Sequence, residues 1–155
     1  MWLEDLLGNN VLTTTALAWL LAGIAKVIIV LLTTKKFDAS RIFGDGGMPS
    51  AHSAFVTSLA TSVAMECGVG SVEFAISASL AFIVMHDAHS VRLEAGKHAK
   101  RINEILDMLN DEKINVEGKM KELLGHTPLQ VLFGSLLGLT TALIRYLALG
   151  QTLVK

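Results

Sequence analysis

VLTTTALAWLLAGIAKVIIVLL, residues 11–32, decides the fold class. It is an apolar run broken only by Lys26. At 1.5 Å per residue a helix over it reaches about 33 Å, enough to cross the hydrocarbon core of a bilayer. A second run of that kind, LQVLFGSLLGLTTALIRYLAL, covers 129–149 and is broken only by Arg145. Two shorter apolar stretches lie between them, AHSAFVTSLATSVAMEC (51–67) and VEFAISASLAFIVMH (72–86), joined by the turn-forming Gly68-Val69-Gly70-Ser71. Both are near the lower length limit for a span. They are rich in Ala, Ser and Thr, which lets helices approach closely in lipid. The pattern predicts an all-α polytopic membrane bundle of about four transmembrane helices, forming a single domain over 1–155.

Composition points the same way. The 155 residues are 52% hydrophobic and 17% charged, against roughly 25% charged in average soluble chains. The mean hydropathy is +0.53. These values exclude a disordered chain and an ordinary soluble domain. A net charge of −1 provides no field for nucleic acid, so none is expected as a partner. The single cysteine, Cys67, excludes an intramolecular disulfide and any multi-cysteine metal site. The N-terminus lacks a basic segment before an apolar run too long for a secretory signal, so no such signal is expected.

Two polar segments separate the runs, 33–50 and 87–128. Within the second, VRLEAGKHAKRINEILDML (91–109) places Ala99, Ile102, Leu106 and Leu109 at helical spacing, which predicts an amphipathic helix lying on the membrane or on the bundle. A further short helix is expected over 116–124. With four spans, both polar segments fall on one side of the membrane. They carry Lys35, Lys36, Arg41, Arg92, Lys97, Lys100, Arg101, Lys113, Lys119 and Lys121. The positive-inside rule puts that side in the cytoplasm and the termini outside. His52, His86, His89, His98 and His126 all lie on or next to it.

Three places on that side can carry chemistry. In GDGGMPSAHS (44–53), glycines such as Gly47 let the backbone turn sharply, and Ser50 is a candidate N-cap. The amides of the following helix could then hold an anion, with His52 in the first turn as a general acid. The plainer reading is a capped helix with a satisfied histidine. In LLGHTPLQ (123–130), Thr127 can cap and Pro128 suits the first helical position. His126 just before it would be kept neutral by the helix dipole, as a nucleophile or base requires; otherwise it marks only a helix start. Asp87 can orient a histidine and Arg92 can grip phosphate oxygens, or the two form a local ion pair. Lys26 sits about 9 Å inside the cytoplasmic end of its span, where it serves the site or snorkels. Arg145, near the opposite face beside Tyr146, is expected to snorkel. His86, Asp87 and His89 have a spacing that permits two metal ligands on one helix face, but form no recognised motif, and neither metal nor cofactor is expected.

Taken together, GGMPSAHSA, DAHSVRLEAG and LLGHTPLQV, within 10–138, resemble the divergent branch of the type 2 phosphatidic acid phosphatase superfamily, related to acid phosphatases and vanadium haloperoxidases. The resemblance implies metal-independent phosphatase chemistry. In ordinary members one histidine protonates the leaving group and another attacks phosphorus. Pro49-Ser50-Ala51-His52 matches the motif of the first, with Ala51 in place of glycine. Lys35 and Arg41 resemble the Lys/Arg motif, one residue short in spacing and without a following proline. Lys26 resembles the intramembrane lysine of the divergent branch. Arg92 and His98 keep the spacing of the third motif, but Val91 precedes Arg92 and Ile102 stands where ordinary members have aspartate. Ser90 stands where the branch usually has glycine. The nucleophile is therefore His126 or, as the alternative, His98; placement at a helix start favours His126.

The resulting expectation is an integral protein of the cytoplasmic (plasma) membrane with its site on the cytoplasmic side. It would hydrolyse a lipid phosphomonoester: phosphatidylglycerol phosphate, phosphatidic acid or a polyprenyl phosphate. His52, His126 and Asp87 would be catalytic, with Lys26, Lys35, Arg41, Gly47, Ser50 and Arg92 binding substrate. The alternatives are a non-catalytic scaffold that binds anionic lipid headgroups and a transporter subunit with Lys26 and Arg145 facing a pathway. The Gly134-x-x-x-Gly138 pair suggests a homodimer.

Overall fold

A computed structural model describes residues 2–42, 44, 46–111 and 125–150. The predicted helix over 116–124 lies outside the described residues. Six α-helices run in order: α1 (Trp2–Gly8), α2 (Asn10–Thr34), α3 (Ala51–Cys67), α4 (Val72–His89), α5 (Val91–Asp111) and α6 (Pro128–Ala148), with a 3-10 turn at Ala39–Ile42. The fold is a helical membrane bundle, as the apolar runs predict.

The caps follow from sequence. Asn9, Ser50, Ser71 and Thr127 each accept an amide of the following first turn through their side chains, satisfying donors the helix cannot. Thr127 and Gln130 form a reciprocal capping box, with Pro128 at the helix start. α2 ends on Lys35 in the left-handed conformation (φ 56°), its amide bonded to Leu31 O, a common helix stop. The short α1 is not foreseen from sequence.

The bundle is small-side-in and large-side-out. α2 buries Thr14, Thr15, Ala18, Ala22, Gly23, Lys26 and Val27, while Leu20, Ile24, Ile28 and Leu31 face outward. α4 buries Ser77, Ala81 and Ala88 and exposes Ile76, Leu80, Phe82 and Ile83. In lipid there is little hydrophobic drive between helices, so small residues that permit close backbone approach occupy the interior. Two buried hydroxyls return to their own helix backbone: Thr15 Oγ1 donates to Val11 O and Thr141 Oγ1 to Leu137 O, both at 2.7 Å.

α3 is the central helix. It packs against α2, α4 and most extensively α6. A Cβ on Gly134 would overlap the Ser50 carbonyl oxygen, and one on Gly138 the Ala54 carbonyl oxygen. The two glycines that suggested a homodimer are thus occupied within the chain, where they let α6 lie directly on α3. Among the described residues, the stretches long and apolar enough to cross a membrane by length and composition are Asn10–Thr34, a run beginning with α4 (Val72–Met108), and Pro128–Ala148. α3, with 17 residues and eight of them buried, is shorter and runs among them.

Two further expectations change. Arg145 does more than snorkel: its Nη2 donates to Thr13 Oγ1 at 2.9 Å, tying the end of α6 to the start of α2. On α5 the buried positions are Gly96, Ala99 and Asn103, while Ile102 faces out with Ile105 and Met108. Among the described residues α5 packs only against α4, so a narrow strip of small residues suffices.

Candidate active site

His52 and His126 come together where the N-termini of α3 and α6 meet. Ser50 N donates to Gln130 O at 3.0 Å, joining the two helix starts. Ser50 is fully buried. Its Oγ accepts from Ser53 N at 3.2 Å and Ser53 Oγ at 2.9 Å, so its hydroxyl oxygen serves as the cap of α3. His52 is the second residue of α3 and half-buried. Its ring centroid lies 6.2 Å from that of His126, with the planes tilted by 59°. That spacing lets both rings reach one bound group. Two helix N-termini converge there, adding positive potential.

His126 is held on three sides and is 3% exposed. Its backbone N donates to Ala88 O at 2.9 Å, and its carbonyl lies 3.3 Å from His89 Nδ1. Both bonds stitch it to the end of α4. Its ring Nδ1 lies 3.2 Å from Gln130 Oε1, and that oxygen also accepts the Thr127 amide at 3.1 Å. The amide donor fixes Gln130 with its oxygen toward the ring, so Nδ1 of a neutral His126 carries the proton and Nε2 the lone pair. Gln130 is the residue that sequence reasoning missed, and His89, named there only for its metal-ligand spacing, holds the His126 carbonyl instead. The signal for Gln130 was present, because Thr127-Pro128-Leu129-Gln130 fits the capping-box pattern.

Lys26 is 4% exposed, and its Nζ donates to Gly44 O at 3.0 Å. Its stem passes beneath Gly47, where a Cβ would stand 3.9 Å from Lys26 Cδ. Gly46 and Gly47 have φ of 80° and 81°, a region that favours glycine. Lys26 therefore brings an ammonium to the loop that leads into Ser50. Asp87 is half-buried in the last turn of α4, next to the Ala88 that receives His126.

Arg41 is exposed, and its Nε pairs with Asp38 Oδ2 at 3.2 Å, because the 3-10 turn brings residues three apart together. The Ser40 hydroxyl bond to Asp38, assisted by Arg41, holds that carboxyl below its ordinary value. Lys35 is exposed as the end of α2. His98 is exposed on α5. Arg92 is the second residue of α5; its side chain lies outside the described residues. His86 is exposed, bonded to Ser90 Oγ at 3.2 Å and stacked on Phe82, while His89 turns to His126. Among the described residues, His, Cys, Asp and Glu form no group of three that could hold a metal.

No solved structure matches the chain. It is 40% identical over 151 residues to an uncharacterized membrane protein, YuiD, of Bacillus subtilis (strain 168), covering 90% of this chain and 96% of that relative. Residues 7–141 match the family model described as the Divergent PAP2 family, and on both grounds the chain belongs to that family.

Proposed function

We propose that this protein is a lipid phosphate phosphatase of the cytoplasmic membrane, hydrolysing a phosphomonoester without a metal. The observation that carries the reading is the His52–His126 pair, 6.2 Å apart between ring centroids at two converging helix starts. His126 Nε2 attacks phosphorus, and the bond from phosphorus to the lipid oxygen breaks. His52, entering protonated, gives its proton to the departing alkoxide. Water then attacks the phosphohistidine, His52 takes the proton, and inorganic phosphate leaves. The α3 amides hold the phosphoryl oxygens. Lys26 and Arg92 balance the charge, and Asp87 orients a histidine.

The substrate is phosphatidylglycerol phosphate, phosphatidic acid or a polyprenyl phosphate. A cytoplasmic site favours the first two, because phospholipid synthesis uses that leaflet. The test is phosphate release by purified protein in detergent over a panel of lipid phosphates with EDTA present. Turnover that survives EDTA and is lost in both His52→Ala and His126→Ala supports the reading. Folded protein that binds these lipids without releasing phosphate would instead support the anionic-lipid scaffold.

A further inference from the structure

α3 is surrounded on three sides only. α6 covers one face and α2 and α4 flank it, yet among the described residues no Cα of α2 lies within 8 Å of α4. The fourth face of α3 is therefore open between them. A cavity of about 380 Å³ occupies this gap, lined by Trp19 of α2, His52, Phe55 and Val56 of α3, and Leu80 and Val84 of α4. Its size falls within the range of small-molecule sites, and among the described residues that line it His52 is the ionisable one.

The walls have a direction. On α2, Trp19 and Lys26 are seven residues apart and share a helix face. On α4, Leu80 and Val84 lead one turn further to Asp87 and Ala88. On α3, Val56 and Phe55 lead to His52. The groove thus rises from apolar walls to the loop and helix starts of the candidate site. Its mouth is continuous with the outward surface of α4, where Ile76 and Ile83 are each 64% exposed and Leu80 is 44% exposed. Those side chains meet lipid in a membrane bundle.

We propose that this groove seats the hydrocarbon chain nearest the headgroup of a lipid phosphate, which slides in sideways from the bilayer between α2 and α4. The phosphate then arrives at His52 while the rest of the chain stays in lipid. The occupant follows from the continuity of the groove with the lipid-facing surface and from the polar group at its inner end; an aqueous solute would meet apolar walls along the whole path. This assignment deepens the proposed phosphatase function and rests on it for the fate of the phosphate.

The experiment has two arms. In the first, kcat/KM is measured for a long-chain (dipalmitoyl) and a short-chain (dihexanoyl) phosphatidate in the wild type, Val84→Trp and Leu80→Trp, each checked for folding by elution in detergent. Filling the groove should lower the long-to-short ratio by about 10-fold, the effect of removing roughly 1.4 kcal/mol of chain binding. An unchanged ratio in both variants overturns the proposal. In the second arm, a hexadecyl phosphate carrying a diazirine near the headgroup is photolysed with wild-type protein in phospholipid vesicles. Label on Phe55, Val56, Leu80 or Val84 supports the groove, and label confined to outward residues such as Ile28 and Ile144 overturns it. If wild type releases no phosphate from either lipid but labels within the groove, the phosphatase reading fails and the groove stands. If it releases phosphate but labels only outside, the groove fails and the phosphatase stands.

Discussion

Gln130 Oε1 receives two donors at once, the Thr127 amide at 3.1 Å and the His126 ring Nδ1 at 3.2 Å. One side chain therefore caps α6 and selects the tautomer of the histidine in front of it. In the proposed mechanism Gln130 would hold the attacking histidine in that tautomer without bringing a charge of its own.

Gln130→Leu removes the acceptor and should lower kcat by about 10²-fold or more, in line with losses when general acid–base geometry is disturbed. The lost cap alone accounts for about 1 kcal/mol of stability. Gln130→Glu keeps the acceptor and should recover most of kcat, with the acidic limb of the pH profile moved upward because a carboxylate favours the imidazolium and His126 must be neutral to attack. Equal damage by both variants, with an unmoved pH profile, would reduce Gln130 to a cap.

Gly134→Ala and Gly138→Ala each place a methyl against an α3 carbonyl oxygen. Overpacking of this kind costs about 1–3 kcal/mol. Both variants should unfold at lower temperature in detergent while the elution mass of the folded protein stays unchanged. A change of mass without loss of thermal stability would return these glycines to a dimer interface.

Lys26→Met leaves Gly44 O without the Nζ donor. An unsatisfied buried group costs about 1–3 kcal/mol, and the loop over 44–50 should become more sensitive to limited proteolysis. Phosphate release should fall as well, since the ammonium is lost beside the anion site. Wild-type proteolysis together with wild-type turnover would contradict the placement of Lys26.

The Asp38–Arg41 pair is exposed, and solvent and salt screen pairs of this kind so that they add little to stability. Arg41→Ala should change thermal stability little. Asp38 has a lowered pKa, so its contribution is present above the ordinary carboxylate value and is lost as pH falls through the lowered one. Ser40→Ala removes the largest cause and should raise the Asp38 pKa toward the ordinary value, as read by carboxyl NMR titration.

Much of this was legible in the chain. α2 and α6 follow from apolar runs broken only by Lys26 and Arg145, and Ser50, Ser71, Thr127 and Pro128 mark helix starts by the donors they satisfy or do without. His52 and His126 each stand beside such a start. Their meeting was not legible, because it depends on Gly134 and Gly138 letting α6 lie on α3. The central position of α3 was also hidden: Ala, Ser and Thr suit a span and a protein-sheltered helix alike. The Arg41–Asp38 pair was not legible because three-residue spacing matters only once the chain forms a 3-10 turn. Gln130 was passed over because a capping residue and a residue that orients a histidine look the same until the ring is in place.

The most direct measurement is to trap the covalent intermediate. Wild-type protein is exposed briefly to a turned-over lipid phosphate bearing labelled phosphorus, quenched in base and mapped by peptide. The account predicts acid-labile, base-stable phosphate on His126, absent from His126→Ala and reduced in His52→Ala. Labelled phosphate on His98, or release of inorganic phosphate with no protein-bound label under any quench time, would contradict it.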